Sequence, residues 1–140
     1  MIRPALFASI LVACGGNSPP ASTPPKANAA VVNGCNGGDY GDHTTEPEAT
    51  IKWDESITES FDRCIKVKQG QTVVFAGDFA AHPLEVSGGD DNNPLANVKE
   101  RITHPGTPEE RVPTPFKTTG VFGYKCSKHP KMAGAILVVP

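Results

Sequence analysis

Three side chains that can bind metals or act in catalysis lie close together near the end of this 140-residue sequence. Cys126, His129 and Met132 are spaced three residues apart in the stretch YKCSKHPKM. They offer a thiolate, an imidazole and a thioether. The stretch is open to three interpretations: an ordinary turn, a cysteine nucleophile beside a histidine base, or a metal site.

The first two interpretations explain less of the stretch than the third. Any one of the three residues alone would fit a turn, as a buried cysteine, a surface histidine or a core methionine. A nucleophilic pair needs its base within hydrogen-bonding reach and usually a third group that orients the base. No oxyanion-type glycine loop accompanies the pair, and an exposed reactive thiol would be prone to oxidation outside the cytosol.

A metal site would need a fourth donor from elsewhere in the chain. A thiolate, two imidazoles and a weak axial thioether form the ligand set of a blue copper centre. His82 is the best candidate for the second imidazole, because the apolar stretch PLEV follows it and could hold it rigidly. His104 is a rival in a similar context, but no apolar strand follows it. His43 is expected to be a solvated loop residue.

Short stretches rich in β-branched and aromatic residues must position these donors. They cover residues 49–53, 64–68, 72–77, 83–88, 111–119, 121–126 and 134–139. Pro113 and Pro115 favour an edge position for one of them. Helical periodicity is limited to one short turn within 94–102. With 14 glycines and 14 prolines between and within these stretches, the pattern predicts an all-β, antiparallel Greek-key sandwich of seven to eight strands.

The N-terminal residues have the order of an export signal. Arg3 precedes an apolar stretch that is too short to span a bilayer as a helix. The following LVAC resembles a bacterial lipobox, which implies a signal peptide over 1–13 and a lipidated Cys14. We expect residues 14–33 to form a proline-rich linker and 34–140 the domain, lipid-anchored in the cell envelope and facing the periplasm or the exterior. A signal cut elsewhere and a buried first strand are the alternatives.

The remaining cysteines suggest a disulfide. No two of the four cysteines share a C-x-x-C spacing, and disulfides persist in exported proteins. A bridge between Cys35 and Cys64 would close a loop of about 30 residues, worth about 3.5 kcal/mol in the chain-entropy model. Two buried thiols, or a bridge from one of these cysteines to Cys126, are the alternatives.

The residues around these donors resemble the cupredoxins of the plastocyanin, amicyanin and pseudoazurin group. The resemblance rests on VFGYKCSKHPKMAGAILVV (121–139) and the upstream HPL (82–84), covers residues 64–140 well and is loose over 34–63. It implies one copper per chain, cycling between Cu(II) and Cu(I). The implied ligands are His82, Cys126, His129 and Met132.

One position departs from the family pattern. An asparagine commonly follows the first histidine in that family and ties its strand to the cysteine loop, whereas Pro83 stands here. Proline cannot donate from its side chain or its nitrogen. We therefore expect another group to make the tie, such as the Ser127 hydroxyl.

The implied site points to electron transfer rather than to catalysis. A metal with four protein ligands has no open position for a substrate, which predicts a one-electron carrier and not an enzyme. The alternative is a copper-handling protein for storage or delivery, although such a protein would favour a methionine-rich segment and this chain has only Met1 and Met132.

The resemblance also implies where a partner would dock. Electrons would pass through the exposed edge of His129, beside a docking patch of Pro83, Leu84, Lys128, Pro130 and Lys131. The lysines would steer a redox protein with an acidic docking face, such as a cytochrome or an oxidase. The formal charge of −2 and the absence of a basic run argue against a nucleic-acid partner, and we expect a monomer.

Overall fold

The computed structural model describes residues 31–140, which contain eight strands and three 3₁₀ helices. The strands are β1 (Gly41–Asp42), β2 (Glu48–Trp53), β3 (Cys64–Lys68), β4 (Thr72–Gly77), β5 (Leu84–Gly89), β6 (Glu110–Pro115), β7 (Gly120–Cys126) and β8 (Ala133–Val139). The 3₁₀ helices cover Glu55–Thr58, Phe61–Arg63 and Pro94–Arg101. The third confirms the predicted helical turn, and the first two were not predicted. No helix within 31–140 is long and apolar enough to cross a membrane.

The strands form a five-stranded sheet in the order β1-β3-β8-β7-β5 and a three-stranded sheet in the order β2-β4-β6. This confirms the predicted β-sandwich. The sheets are mixed rather than antiparallel throughout, because β1–β3, β2–β4 and β3–β8 pair in parallel. The pairs β4–β6, β5–β7 and β7–β8 are antiparallel.

Alternation of side chains decides which face of each strand is buried. In β2 the residues Ala49, Ile51 and Trp53 are buried and the residues between them are exposed. Strand β6 alternates in the same way, and its exposed positions include Pro113 and Pro115. It pairs only with β4, which confirms the predicted edge position.

The main core lies between the sheets and is centred on three aromatic rings. Trp53, Phe75 and Tyr124 pack edge to face, with ring centroids 5.0 to 5.8 Å apart. The Tyr124 hydroxyl donates to the Arg63 carbonyl at 2.9 Å, and burial raises the pKa of Tyr124, so the hydroxyl keeps its proton. The cluster continues to Cys126 and Met132, which brings two of the candidate donors to one end of the core.

A smaller core covers the other face of the five-stranded sheet. It contains Val32, Cys35, Cys64, Val121 and Ala135. A Cys35–Cys64 disulfide joins two of its members, with Cα atoms 5.6 Å apart, which confirms the predicted pairing.

The folded part begins before the predicted domain boundary. Val32 is buried and Asn33 half-buried, although the sequence predicts both as linker. The predicted signal peptide, the lipidated Cys14 and the linker up to residue 30 lie outside the described residues.

Candidate metal centre

Three of the predicted donors meet at one end of the sandwich. One ligand atom each from His82, Cys126 and His129 lies within 4.8 Å of the other two, the one group of this kind found among residues 31–140. The two Nδ1 atoms are 3.1 Å apart, and Cys126 Sγ is 3.5 Å from His129 Nδ1. Cys126 is buried and both histidines are half-buried, so the group lies just beneath the surface.

Backbone hydrogen bonds fold the loop that carries Cys126, His129 and Met132. Cys126 is the last residue of β7, and its N–H donates to the Met132 carbonyl at 2.8 Å. The Met132 N–H in turn donates to the His129 carbonyl at 2.9 Å. The loop is therefore closed at its base, and the fully buried Met132 side chain stays beside the core.

Both backbone polar groups of His82 are hydrogen-bonded. Its N–H donates to the Asp78 carbonyl at 2.9 Å, and its carbonyl accepts from the Trp53 indole N–H at 2.6 Å. The Asp78 carboxylate also accepts from the N–H groups of Ala80 and Ala81. These contacts fix the turn that carries His82 before β5 begins.

Pairing between strands brings His82 to the cysteine loop. Leu84 of β5 lies opposite Cys126 of β7. The Ser127 N–H also donates to the Pro83 carbonyl at 3.1 Å. The tie expected from the Ser127 hydroxyl is thus made by its backbone, because proline lacks an N–H but keeps its carbonyl as an acceptor.

The outer edge of His129 faces solvent beside an acidic side chain. The His129 side chain is 41% exposed, and its Nε2 lies 3.7 Å from Oε1 of Glu55, which is 74% exposed. A shallow groove next to it is lined by Glu55, Thr58, Lys128, Pro130, Lys131 and Met132. The contribution of Glu55 and Thr58 was not predicted, since nothing in residues 55–58 of the sequence indicates contact with a loop about 70 residues later.

The prediction that Leu84 belongs to the docking patch is wrong. Leu84 is completely buried, because it points into the core from β5, so it cannot contact a partner. Pro83 is half-buried, whereas Lys128, Pro130 and Lys131 are exposed. The Lys128 ammonium donates to the Ala80 carbonyl at 2.7 Å, which links the cysteine loop to the turn before His82.

The other two histidines of the chain lie elsewhere. His43 Nδ1 is 2.9 Å from the Glu46 carboxylate. His104 is exposed, and its N–H donates to the Glu110 carboxylate at 2.9 Å. Burial favours the neutral form of Glu110, but the hydrogen bonds from His104 and Thr103 hold its pKa below the ordinary value. His104 therefore serves a loop contact and does not join the donor group.

The chemistry of the donors fits copper. Two imidazole nitrogens and a thiolate converge, and a thioether follows on the same loop, as in the trigonal His₂Cys sites with a weak axial methionine. Zinc also takes cysteine and histidine ligands. The buried Met132 is the feature that favours copper over zinc, since a thioether is a soft ligand suited to Cu(I).

Neither a protein-family model nor a curated protein sequence matches this chain. Among solved structures, the chain is similar to a purple cupredoxin from Nitrosopumilus maritimus, with 19% identity and a TM-score of 0.40 over 66% of this chain and 99% of that one. It is similar to an oxidised amicyanin variant, with 18% identity and a TM-score of 0.38 over 69% and 86% of the two chains. It is also similar to a Cu(I) form of another amicyanin variant, with 17% identity and a TM-score of 0.38 over 83% and 96%. Likenesses at this level do not assign a function, so the side chains of the site must carry the assignment.

Proposed function

We propose that this protein is a type-1 copper protein that carries single electrons. The observation that supports it most is the convergence of two imidazole Nδ1 atoms and one thiolate at the end of a rigid sandwich. His82, Cys126 and His129 would hold the metal, and the Met132 thioether would add a weak fourth donor. Copper bound there would supply one-electron chemistry between Cu(II) and Cu(I).

The chain's own residues favour electron transfer over catalysis. Four protein donors would leave no position for a substrate. The backbone bonds that close the loop and fix His82 would keep the donors in one arrangement in both oxidation states, which lowers the reorganisation that accompanies electron transfer. His129 points Nδ1 inward and presents its Nε2 edge to solvent, so its ring would be the path between the metal and a partner.

The partner would be a redox protein that docks around His129. The exposed Pro130 offers apolar contact, and Lys128 and Lys131 form a positive rim. This rim favours a partner with an acidic docking face, because complementary charge raises the association rate at low salt. Glu55 interrupts the rim on one side and would restrict the orientations in which an acidic partner docks.

We also propose that the protein works in the cell envelope, anchored by a lipid on Cys14. The Cys35–Cys64 disulfide supports an oxidising compartment. Metabolic labelling with a radioactive fatty acid tests the anchor. Incorporation into the wild-type protein and none into Cys14→Ser is expected, and equal labelling of both proteins would contradict it.

The proposed copper site is tested by adding Cu(II) to the purified full chain and recording its visible spectrum. An intense thiolate-to-copper absorption band at one equivalent of copper is expected, and Cys126→Ser should lack it. A wild-type protein that binds copper without this band would overturn the assignment.

Electron self-exchange, measured by NMR line broadening in mixtures of the oxidised and reduced protein, should be fast for a carrier, whereas very slow exchange would favour storage.

A further inference from the structure

We infer that Asn33 is a positioning residue for the metal centre and that the Cys35–Cys64 disulfide locks it in place. The inference rests on the proposed copper function. Asn33 lies in a tight turn before the disulfide, remote from the donor atoms in sequence. Its side chain nevertheless joins the three strands that lead to or from the donor residues.

The Asn33 side-chain amide bonds to one carbonyl on each of three neighbouring strands. The two hydrogens of its Nδ2 are shared among the carbonyls of Ser87 of β5 at 3.0 Å, Tyr124 of β7 at 3.0 Å and Gly134 of β8 at 2.8 Å. Strand β5 begins two residues after His82, β7 ends at Cys126, and β8 begins directly after Met132. One amide group thus sets the separation of all three strands close to the donors.

The sheet is built to receive this turn. The pairing of β5 with β7 shifts between Val86 and Gly89, and Ser87 lies inside the shift. At Gly123 an added Cβ would lie 1.8 Å from the Ser87 carbonyl oxygen and 2.6 Å from Val32 Cγ1. A side chain there would collide with the backbone of β5 and with Val32, so the glycine lets both β5 and the turn pack closely against β7.

The turn itself is firmly closed. Val32 and Cys35 exchange backbone hydrogen bonds at 3.1 and 2.9 Å, and the two residues between them have positive φ angles of 50° and 76°. The Asn33 carbonyl accepts from Arg63 at 3.0 Å, and the Asn33 side-chain oxygen accepts from the Ser87 hydroxyl at 3.1 Å. Every polar group of the Asn33 side chain therefore has a partner.

The disulfide fixes this turn to the sheet. It joins Cys35 at the end of the turn to Cys64 at the start of β3, directly after Arg63. Breaking it would free one end of the turn and leave Asn33 held by its hydrogen bonds and by the packing of Val32. We therefore expect the amide and the disulfide to act as one unit that limits how far the donor strands can separate.

The test compares two variants of Asn33 with a control in the same loop. Asn33→Gly removes the amide but keeps the turn, because glycine adopts positive φ without strain. Asn33→Asp keeps the shape but replaces the donor by a carboxylate facing three carbonyls. Asn36→Gly is the control, since Asn36 is exposed and its side chain accepts only from Gly38.

Two measurements on the full chain decide the outcome. Release of Cu(II) to an excess of chelator should be about tenfold faster in Asn33→Gly, by analogy with other outer-sphere changes, faster still in Asn33→Asp, and within about twofold of wild type in Asn36→Gly. In the metal-free protein, hydrogen exchange at the amides of Cys126, Ser127 and Met132 should accelerate in the Asn33 variants only. Unchanged release and unchanged exchange in Asn33→Gly would overturn the inference.

The second measurement also separates this inference from the proposed function. If wild type shows no blue copper band but the metal-free Asn33 variants still lose protection in the ligand loop, the copper assignment fails and Asn33 retains its positioning of the loop. If wild type shows the band and all three variants match wild type in copper release and in hydrogen exchange, the copper assignment stands and the inference about Asn33 is wrong.

Discussion

The two sheets bury one core between them, but their outer faces are stabilised by different contacts. The five-stranded sheet carries the donor residues at the ends of β5, β7 and β8, and its outer face is covered by residues 32–35 and the disulfide. The outer face of the three-stranded sheet carries exposed polar residues such as Lys52 and an exposed ion pair between Arg111 and Glu48 at 2.8 Å. Exposed ion pairs of this kind contribute little to stability. The additional stabilising contacts, the turn and the disulfide, therefore lie on the sheet that must hold several donors in place.

Trp53 is the exception to this division. It is the last residue of β2 in the three-stranded sheet, yet its indole N–H reaches across to the His82 carbonyl. The opposite sheet thus supports the one donor that does not lie on the cysteine loop. This contact limits how independent the two sheets can be.

The largest effect is expected from replacing a histidine next to the five-stranded sheet, with a histidine next to the three-stranded sheet as the comparison. His82 precedes β5, and His104 is bonded to Glu110 at the start of β6. His82→Ala should abolish the thiolate-to-copper band, because one of three converging donors is lost. His104→Ala should leave the band intact in the same titration. Loss of the band in His104→Ala and its survival in His82→Ala would reverse the assignment of the ligand.

Removing the disulfide should have the next largest effect. Cys35→Ser combined with Cys64→Ser should lower the free energy of unfolding in urea by about 3.5 kcal/mol, from the loop that the bridge closes. Copper release should also become faster, since Asn33 loses its lock. Ile51→Val in β2 is the control: it should cost about 1 kcal/mol without changing the release rate. If the double cysteine variant and Ile51→Val release copper at the same rate, the disulfide does not help the five-stranded sheet to hold the metal.

The sequence predicted most elements of the sheets because the information for them is local. Short stretches rich in β-branched and aromatic residues mark most of the strands, and Cys126, His129 and Met132 lie within one short loop. The pairing of Cys35 with Cys64 followed from an expected oxidising compartment. Pairing direction could not be predicted in this way, because alternation is the same in parallel and antiparallel strands.

The missed residues are those whose role depends on contacts far along the chain. Asn33 lies in a stretch of small and polar residues that resembles a linker, and only the fold brings its amide to three strands 54 to 101 residues away. Glu55 likewise approaches His129 only through the 3₁₀ helix after β2. The resemblance places Leu84 in the docking patch, but its burial depends on the pairing of β5 with β7, which the sequence does not show.

A smaller effect should come from Trp53→Phe, which keeps a ring in the core but removes the N–H that the His82 carbonyl accepts. Leaving that carbonyl without its partner should cost about 1–3 kcal/mol of unfolding free energy. The electron paramagnetic resonance spectrum of the Cu(II) form should shift, because His82 is less firmly held. Phe75→Leu is the control, since Phe75 packs on the same Tyr124 ring but donates nothing to His82. A spectrum unchanged in Trp53→Phe would mean that the five-stranded sheet positions His82 alone.

The smallest expected effect concerns charge around His129. Lys131 lies on the exposed rim and Glu55 beside the ring edge, whereas Lys117 is exposed near the opposite end of β7. Ferricyanide carries three negative charges, so a unit charge about 10 Å away contributes about 1.2 kcal/mol in water. Screening at about 0.1 M ionic strength reduces this to about 0.4 kcal/mol, a factor of about two in rate. Oxidation of the reduced protein by ferricyanide at about 0.1 M ionic strength should therefore slow about twofold in Lys131→Ala and accelerate about twofold in Glu55→Gln. Lys117→Ala should match wild type. Because ferricyanide is an anion, equal slowing by both lysine variants would mean that the reagent senses only net charge and that electrons do not leave preferentially through the His129 edge.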